Sequence, residues 1–121
     1  MQPEREIATR TRRFAAAVVL FAAHFPNNSI RLVLLRQLVR AGTSIGANVE
    51  EAQDAISRRE FTHKVFIALR EARETRYWLR VIEEAKLVEK EDSRLLSELM
   101  QEVTEITRVL TTIGKRARDN V

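Results

Sequence analysis

Apolar residues recur along the chain in alternating steps of four and three, and the alternation restarts four times. The first series is Ile7, Thr11, Phe14, Val18, Phe21 and Phe25. The second is Leu34, Leu38, Ala41, Ile45, Asn48 and Ala52. The third runs Phe61, Val65, Ala68, Ala72, Thr75, Leu79, Ile82, and the fourth Leu96, Leu99, Val103, Ile106, Leu110, Ile113. Steps of four and three keep side chains on one face of a helix, and strand alternation never persists beyond a few residues. Helices are therefore expected over roughly 5–25, 29–54, 58–84 and 91–114. Each stripe averages about 3.5 residues per turn, the period of left-handed bundle packing. Short connections make sequential neighbours antiparallel. The expected fold is all-α, a single up-down-up-down antiparallel four-helix bundle over residues 1–121 with a left-handed twist.

The ends of these segments carry local signals. Pro26-Asn27-Asn28-Ser29 supplies a turn and a choice of N-caps. Ser57 followed by Glu60 is a capping box, and Ile56 and Phe61 are placed to staple it. Gly114 followed by Lys115, Arg116 and Arg118 reads as the end of the last helix, with positive charge at the negative end of its dipole. Only the first and last few residues are expected to be disordered.

Two glycines interrupt the second stripe without shifting its phase. Leu35, Val39, Gly42, Gly46 and Val49 fall on a flank about 60–140° from the core-facing residues. A glycine inside a helix costs about 1 kcal/mol relative to alanine, and close approach of another helix can offset that. The other reading is a break, with Gly42 ending one helix and Thr43 or Ser44 capping the next. On the third segment Ile67, Glu71, Glu74 and Trp78 form a second line, with Phe66, Tyr77 and Val81 further round. Helices two and three thus carry more than one stripe each. Leu35, Val39, Gly42, Gly46, Ile67, Glu71, Glu74 and Trp78 are accordingly the candidate oligomer interface, a second seam within or between subunits. Asn48, one turn after Ser44, is expected to be a hydrogen-bonded polar pair in the core that fixes register.

Composition narrows the classes. Apolar residues make up 45% and charged residues 31%, so a core is possible within one domain. There is no cysteine, which excludes disulfides and thiolate metal sites and is consistent with the cytoplasm. The longest apolar run, Phe14 to Phe25, is too short to span a bilayer and continues a helical stripe that starts at Ile7, so neither a membrane span nor a signal peptide is expected. The net charge is +4 with a pI of about 10.1, and 17 of the 21 cations are arginine. That excess favours polyanionic partners, though 17 carboxylates dilute it. Arg36 and Arg40 on the second helix and Arg70, Arg73, Arg76 and Arg80 on the third are the candidate nucleic-acid ligands; Arg10, Arg12 and Arg13 lie on the first. Phosphate binding needs such charges clustered, whereas Glu71 and Glu74 alternate with them and favour a solvated, ion-paired face.

Catalytic signals are poor. Glu60-x-x-His63 has the spacing of di-iron bundles, but His24, the other histidine, lacks a matching glutamate, and Glu60 is engaged in the cap. No serine has an obvious base, and the stretch "GTSIGA" lacks the spacing and lysine of a phosphate-binding loop. Glu50-Glu51 and Glu71/Glu74 sit at spacings typical of helix salt bridges. No enzyme activity, metal or cofactor is expected.

The stretches "QLVRAGTSIGANVEEAQ" (Gln37 to Gln53) and "REFTHKVFIALREARETRYWL" (Arg59 to Leu79) resemble the four-helix-bundle family of 23S rRNA intervening-sequence proteins. Ser44-Ile45, Asn48, Glu51, Ala68 and Glu74 match its recurrent positions, whereas Ala52 and Glu71 depart from the glycine and the small residue common there. The resemblance implies a bundle assembled into a ring, typically a pentamer, in the bacterial cytoplasm, with no established catalysis. It also implies association with nucleic acid, or with a protein partner such as a nucleic-acid enzyme, since a similar bundle is accessory to a retroelement reverse transcriptase. Two functions follow: an oligomer that binds RNA or DNA through its arginines, or an oligomeric adaptor for a protein, with no membrane role in either.

Overall fold

The four stripes become four helices whose faces meet. The computed structural model describes residues 3–26 and 29–120. It contains α1 (Pro3–Ala23), α2 (Ser29–Gln53), α3 (Arg58–Glu84) and α4 (Ser93–Asp119), with one 3-10 turn, Lys90–Asp92, ahead of α4. Asn27 and Asn28, the expected turn and caps, lie outside the described residues. α1 packs on α2 and α4, and α3 packs on the same two helices. Polar side-chain contacts cross three seams: Arg12 with Glu50, Arg40 with Glu71 and Glu74, Lys64 with Glu51, and Arg10 with Glu102 against His24 with Asp92. In the α2–α3 and α1–α4 seams one helix's numbering rises as the other's falls, as antiparallel neighbours require.

Every residue of the first and fourth stripes is buried, and the third is buried from Val65 to Ile82. Burying one large aliphatic side chain stabilises by about 1.5–3 kcal/mol, so this shared interior dominates the stability of the fold. Among the described residues the fully buried polar side chains are Thr11 and Thr75, both on the stripes. Their hydroxyls donate to carbonyls of their own helices, Thr11 Oγ1 to Ile7 O at 2.7 Å and Thr75 Oγ1 to Glu71 O at 2.8 Å. Bonded this way, a threonine satisfies its hydroxyl inside the core.

α2 is continuous through both glycines, and the partner across them is α1 of the same chain. A Cβ on Gly42 would meet both methyls of Val18 at 3.1 Å, and one on Gly46 would meet the Thr11 carbonyl group at 3.3 Å. Leu35 and Val49 on the same flank are buried as well. This corrects the assignment of Leu35, Gly42 and Gly46 to an interface between subunits: α1 already occupies that face. Ser44 and Asn48 also differ from expectation. Both are half-buried, and their bonds stay within α2, Ser44 Oγ to Arg40 O at 2.7 Å and Asn48 Nδ2 to Ser44 O at 2.9 Å. They tie the helix to itself and fix no register between helices.

The helix ends differ from the sequence expectation in three places. Ser57 caps α3 by accepting from Glu60 N at 3.0 Å, but the Glu60 carboxylate reaches past Ser57 to Ile56 N at 3.2 Å. Ile56 is 94% exposed, so no staple forms; Phe61 packs toward the core beneath the Arg58 guanidinium instead. Gly114 does not end α4, which continues through the basic turn to Asp119. Its missing side chain makes room for the Phe66 ring of α3, which would lie 3.0 Å from a Cβ there. At the end of α3, Leu87 N donates to Ile82 O and Lys86 N to Glu83 O, a double-bonded C-terminal cap that usually has glycine at its left-handed position. Here Lys86 occupies it with φ 56°.

Two stability outcomes follow. Gly46→Leu drives a side chain into the backbone of α1 and is expected to destabilise by about 3 kcal/mol, read as a lowered denaturant midpoint. An unchanged midpoint contradicts the close α1–α2 contact. Lys86→Gly relieves a left-handed lysine and is expected to raise stability by about 0.5–1 kcal/mol in the same measurement.

Candidate nucleic-acid interface

On α3 the carboxylates and the arginines part company. Glu71 and Glu74 face α2, where Arg40 Nη1 donates to Glu71 Oε2 at 3.3 Å and its Nη2 donates to Glu74 Oε2. Trp78 Nε1 donates to the same Glu74 oxygen at 3.0 Å, and Gln37 Oε1 accepts from Arg40 Nε at 3.2 Å. Glu71 retains only 13% side-chain exposure, so Arg40 neutralises a carboxylate that is nearly enclosed. A charge-assisted pair in such a setting is stronger than one in open solvent. The seam is therefore internally satisfied. Arg40, a candidate nucleic-acid ligand from the sequence, is committed to it together with Glu71, Glu74 and Trp78 of the candidate interface. Ile67 and Val39 are half-buried.

Arg73 and Arg80 share the opposite flank, because they stand seven and fourteen residues after Phe66, which packs on Gly114 of α4. Arg73 and Arg80 are exposed, Arg76 is half-buried between them, and Arg70 is exposed one turn earlier. Arg73 and Arg76 have no carboxylate three or four residues away on either side. Arg70 could have paired with Glu74, but that carboxylate belongs to Arg40 and Trp78. Among the described residues, none of these four guanidiniums makes an ion pair. The α4 flank beside them presents Thr104, Thr107 and Thr111, whose hydroxyls donate to carbonyls one turn back at 2.7–2.8 Å. Those positions add no negative charge. Arg36 is exposed on α2, also without an ion pair among the described residues.

Sequence reading did not place Tyr77 with the arginines. The ring is 58% exposed, four residues after Arg73 and three before Arg80, and it meets Trp78 edge to face at 5.2 Å. The signal was present as i−4 and i+3 spacing, hidden because Tyr77 looked like part of an apolar back.

A second feature is a groove of about 880 Å³ between α1 and α4, floored by Phe14, Ala17, Phe21 and Leu99 and edged by Leu20 and Leu95. Arg10 closes one end through a two-pronged bond to Glu102 at 2.7 and 2.8 Å. That hydrogen bond, followed by the attraction of the carboxylate charge, holds the Arg10 guanidinium above its usual pKa. At the other end His24 Nε2 lies 3.1 Å from Asp92 Oδ1. No three side chains of His, Cys, Asp or Glu come together among the described residues, and no described helix is long and apolar enough to cross a membrane.

Four packed helices with a cationic flank, its counter-charges drawn to the far side of the same helix, define a small all-α bundle protein with a sorted surface. The chain belongs to the 23S rRNA-intervening sequence protein family, whose model matches residues 4–111. It is similar to a crystal structure of a protein of unknown function from the S23 ribosomal protein family of Bacteroides thetaiotaomicron. The two share 33% identity at a TM-score of 0.84, over 94% of this chain and 99% of that one. No curated protein matches the chain.

Proposed function

We propose that this protein is a non-enzymatic homo-oligomer that holds RNA or DNA by its phosphates along the arginine row of α3. The observation that carries the reading is the unneutralised row itself, Arg70, Arg73, Arg76 and Arg80, beside a flank of threonines. Such a row gains affinity by releasing counterions and needs no base recognition, which suits a helix lying on its bundle and entering no groove. Arg40 leaves the ligand set and serves by withdrawing Glu71 and Glu74.

For assembly, the support moves from the glycine flank to the groove between α1 and α4. Leu20 is 71% exposed and Leu95 43%, an apolar edge that a further subunit would cover. The pentameric ring is the assembly that family membership implies, and a ring needs two different complementary patches on each copy. The cytoplasm of a bacterium is the compartment that fits this reading.

Binding to a labelled polynucleotide should weaken steeply as salt rises. In Arg73→Ala/Arg76→Ala/Arg80→Ala the slope of log affinity against log salt should fall by about 2, from a loss of about 0.7 per phosphate contact on a single strand. Absence of binding to any polynucleotide at low salt would remove the proposal. For the assembly, Leu20→Glu is expected to shift light-scattering mass toward the monomer while helicity is kept. An unchanged mass rules out this groove as the contact between copies.

A further inference from the structure

We propose that the row on α3 is built for single-stranded nucleic acid, with Tyr77 as the platform on which an unpaired base stacks. The inference rests on the phosphate-binding reading above and names its substrate class. Polynucleotide binding by arginines alone treats duplex and single strand alike in kind, since both present phosphates. An exposed aromatic face among those arginines adds a contact that only an unstacked base can use.

Tyr77 meets the requirements in four ways. Its ring is 58% exposed on a chain whose phenylalanines are buried or half-buried. It stands seven residues after Arg70, four after Arg73 and three before Arg80, so cations lie on both sides of it along one helix surface. No guanidinium lies over it among the described residues; the arginines over rings are Arg31 on Phe25 and Arg58 on Phe61. Its orientation is restrained from the side, since Trp78 meets it edge to face and is itself anchored by the bond to Glu74 at 3.0 Å. The carboxylate that secures the platform is the one withdrawn from Arg70.

The dimensions also fit. Arg70 to Arg80 spans ten residues, about 15 Å along the helix at 1.5 Å each. About four nucleotides of a stacked strand cover that length, at about 3.4 Å per phosphate, and fewer where the strand is stretched to unstack a base. One base then rests on Tyr77 while the phosphates on either side meet the arginines. Glu83 and Glu84, three and four residues beyond Arg80, bound the row at that end.

The test is fluorescence anisotropy at low salt with three labelled probes: a twelve-nucleotide oligo-dT, a twelve-nucleotide oligo-rU and a twelve-base-pair duplex. The purified full chain is titrated as wild type, Tyr77→Ala and Tyr77→Phe. The expected result is tighter binding of the single strands than of the duplex. Tyr77→Ala should weaken single-strand binding at least about fivefold, the lower end for losing one stacked base, and leave the duplex within twofold. Tyr77→Phe should retain wild-type affinity, because the ring does the stacking and the hydroxyl does not. The stronger of the dT and rU arms assigns DNA or RNA. Equal loss on duplex and single strand, or no loss on either, overturns the stacking role while phosphate binding stands. If no probe binds at all, the phosphate-binding reading falls and this inference falls with it. Because the side chain is exposed, an unchanged thermal midpoint for Tyr77→Ala excludes misfolding as the cause of a loss.

Discussion

The contact on which the rest of this molecule depends is the approach of α1 to α2 across Gly42 and Gly46. A side chain at either position would meet Val18 or the Thr11 backbone at 3.1–3.3 Å. Backbone-level contact draws α1 toward α2, and Leu35 and Val49 are buried along the same seam. α1 then has less to offer α4, and Arg10 with Glu102 and His24 with Asp92 bracket the gap left between them. The open groove between α1 and α4 is thus the counterpart of the tight seam on the other side. Each helix has one width of side chain to spend, and small residues set where it is spent.

Charge is sorted on the same principle of committed neighbours. α3 carries Arg and Glu nearly in alternation from Arg70 to Arg76, which in an isolated helix would give a mixed, neutral surface. In the bundle, Arg40 reaches across from α2 and Trp78 reaches back along α3, and both take Glu74. Glu71 follows into the seam. The arginines that remain face solvent without partners among the described residues. A single cation on one helix thereby frees Arg70 on the next, a local effect that counting net charge could not reveal: +4 overall says nothing about where the excess resides.

What could be read directly was everything governed by period. Ile7 to Phe25 and Leu96 to Ile113 are stripes in the sequence and buried rows in the structure, because helical geometry alone fixes which residues share a face. What could not be read was which neighbour covers a second face. The flank of Gly42 and Gly46 has a definite angle from the core, but an angle does not distinguish α1 from another subunit. Local signals failed wherever tertiary contact overrode them. Gly114 resembles a stop yet receives Phe66; Ile56 is placed for a staple yet stays in solvent; Lys86 adopts the left-handed turn usually left to glycine. The arginine row is half legible: spacing names Arg70, Arg73, Arg76 and Arg80, but the withdrawal of Glu74 from Arg70 depends on Arg40, thirty residues before it.

The groove and the row have different consequences for binding if copies assemble. They lie on different flanks of α4, the groove toward α1 and the row toward α3. A subunit seated in the groove would therefore leave the row uncovered. A ring would then present one short row per subunit, each spanning a few nucleotides. Weak sites of this kind gain through simultaneous engagement, because each bound segment raises the effective concentration of strand at the next. An arginine row of about 15 Å, too short to hold a strand firmly alone, becomes useful when repeated around an axis at fixed spacing. On the proposed reading a sequence-independent surface would suffice: repetition would supply strength, and the flexibility of a single strand would allow it to pass from one row to the next.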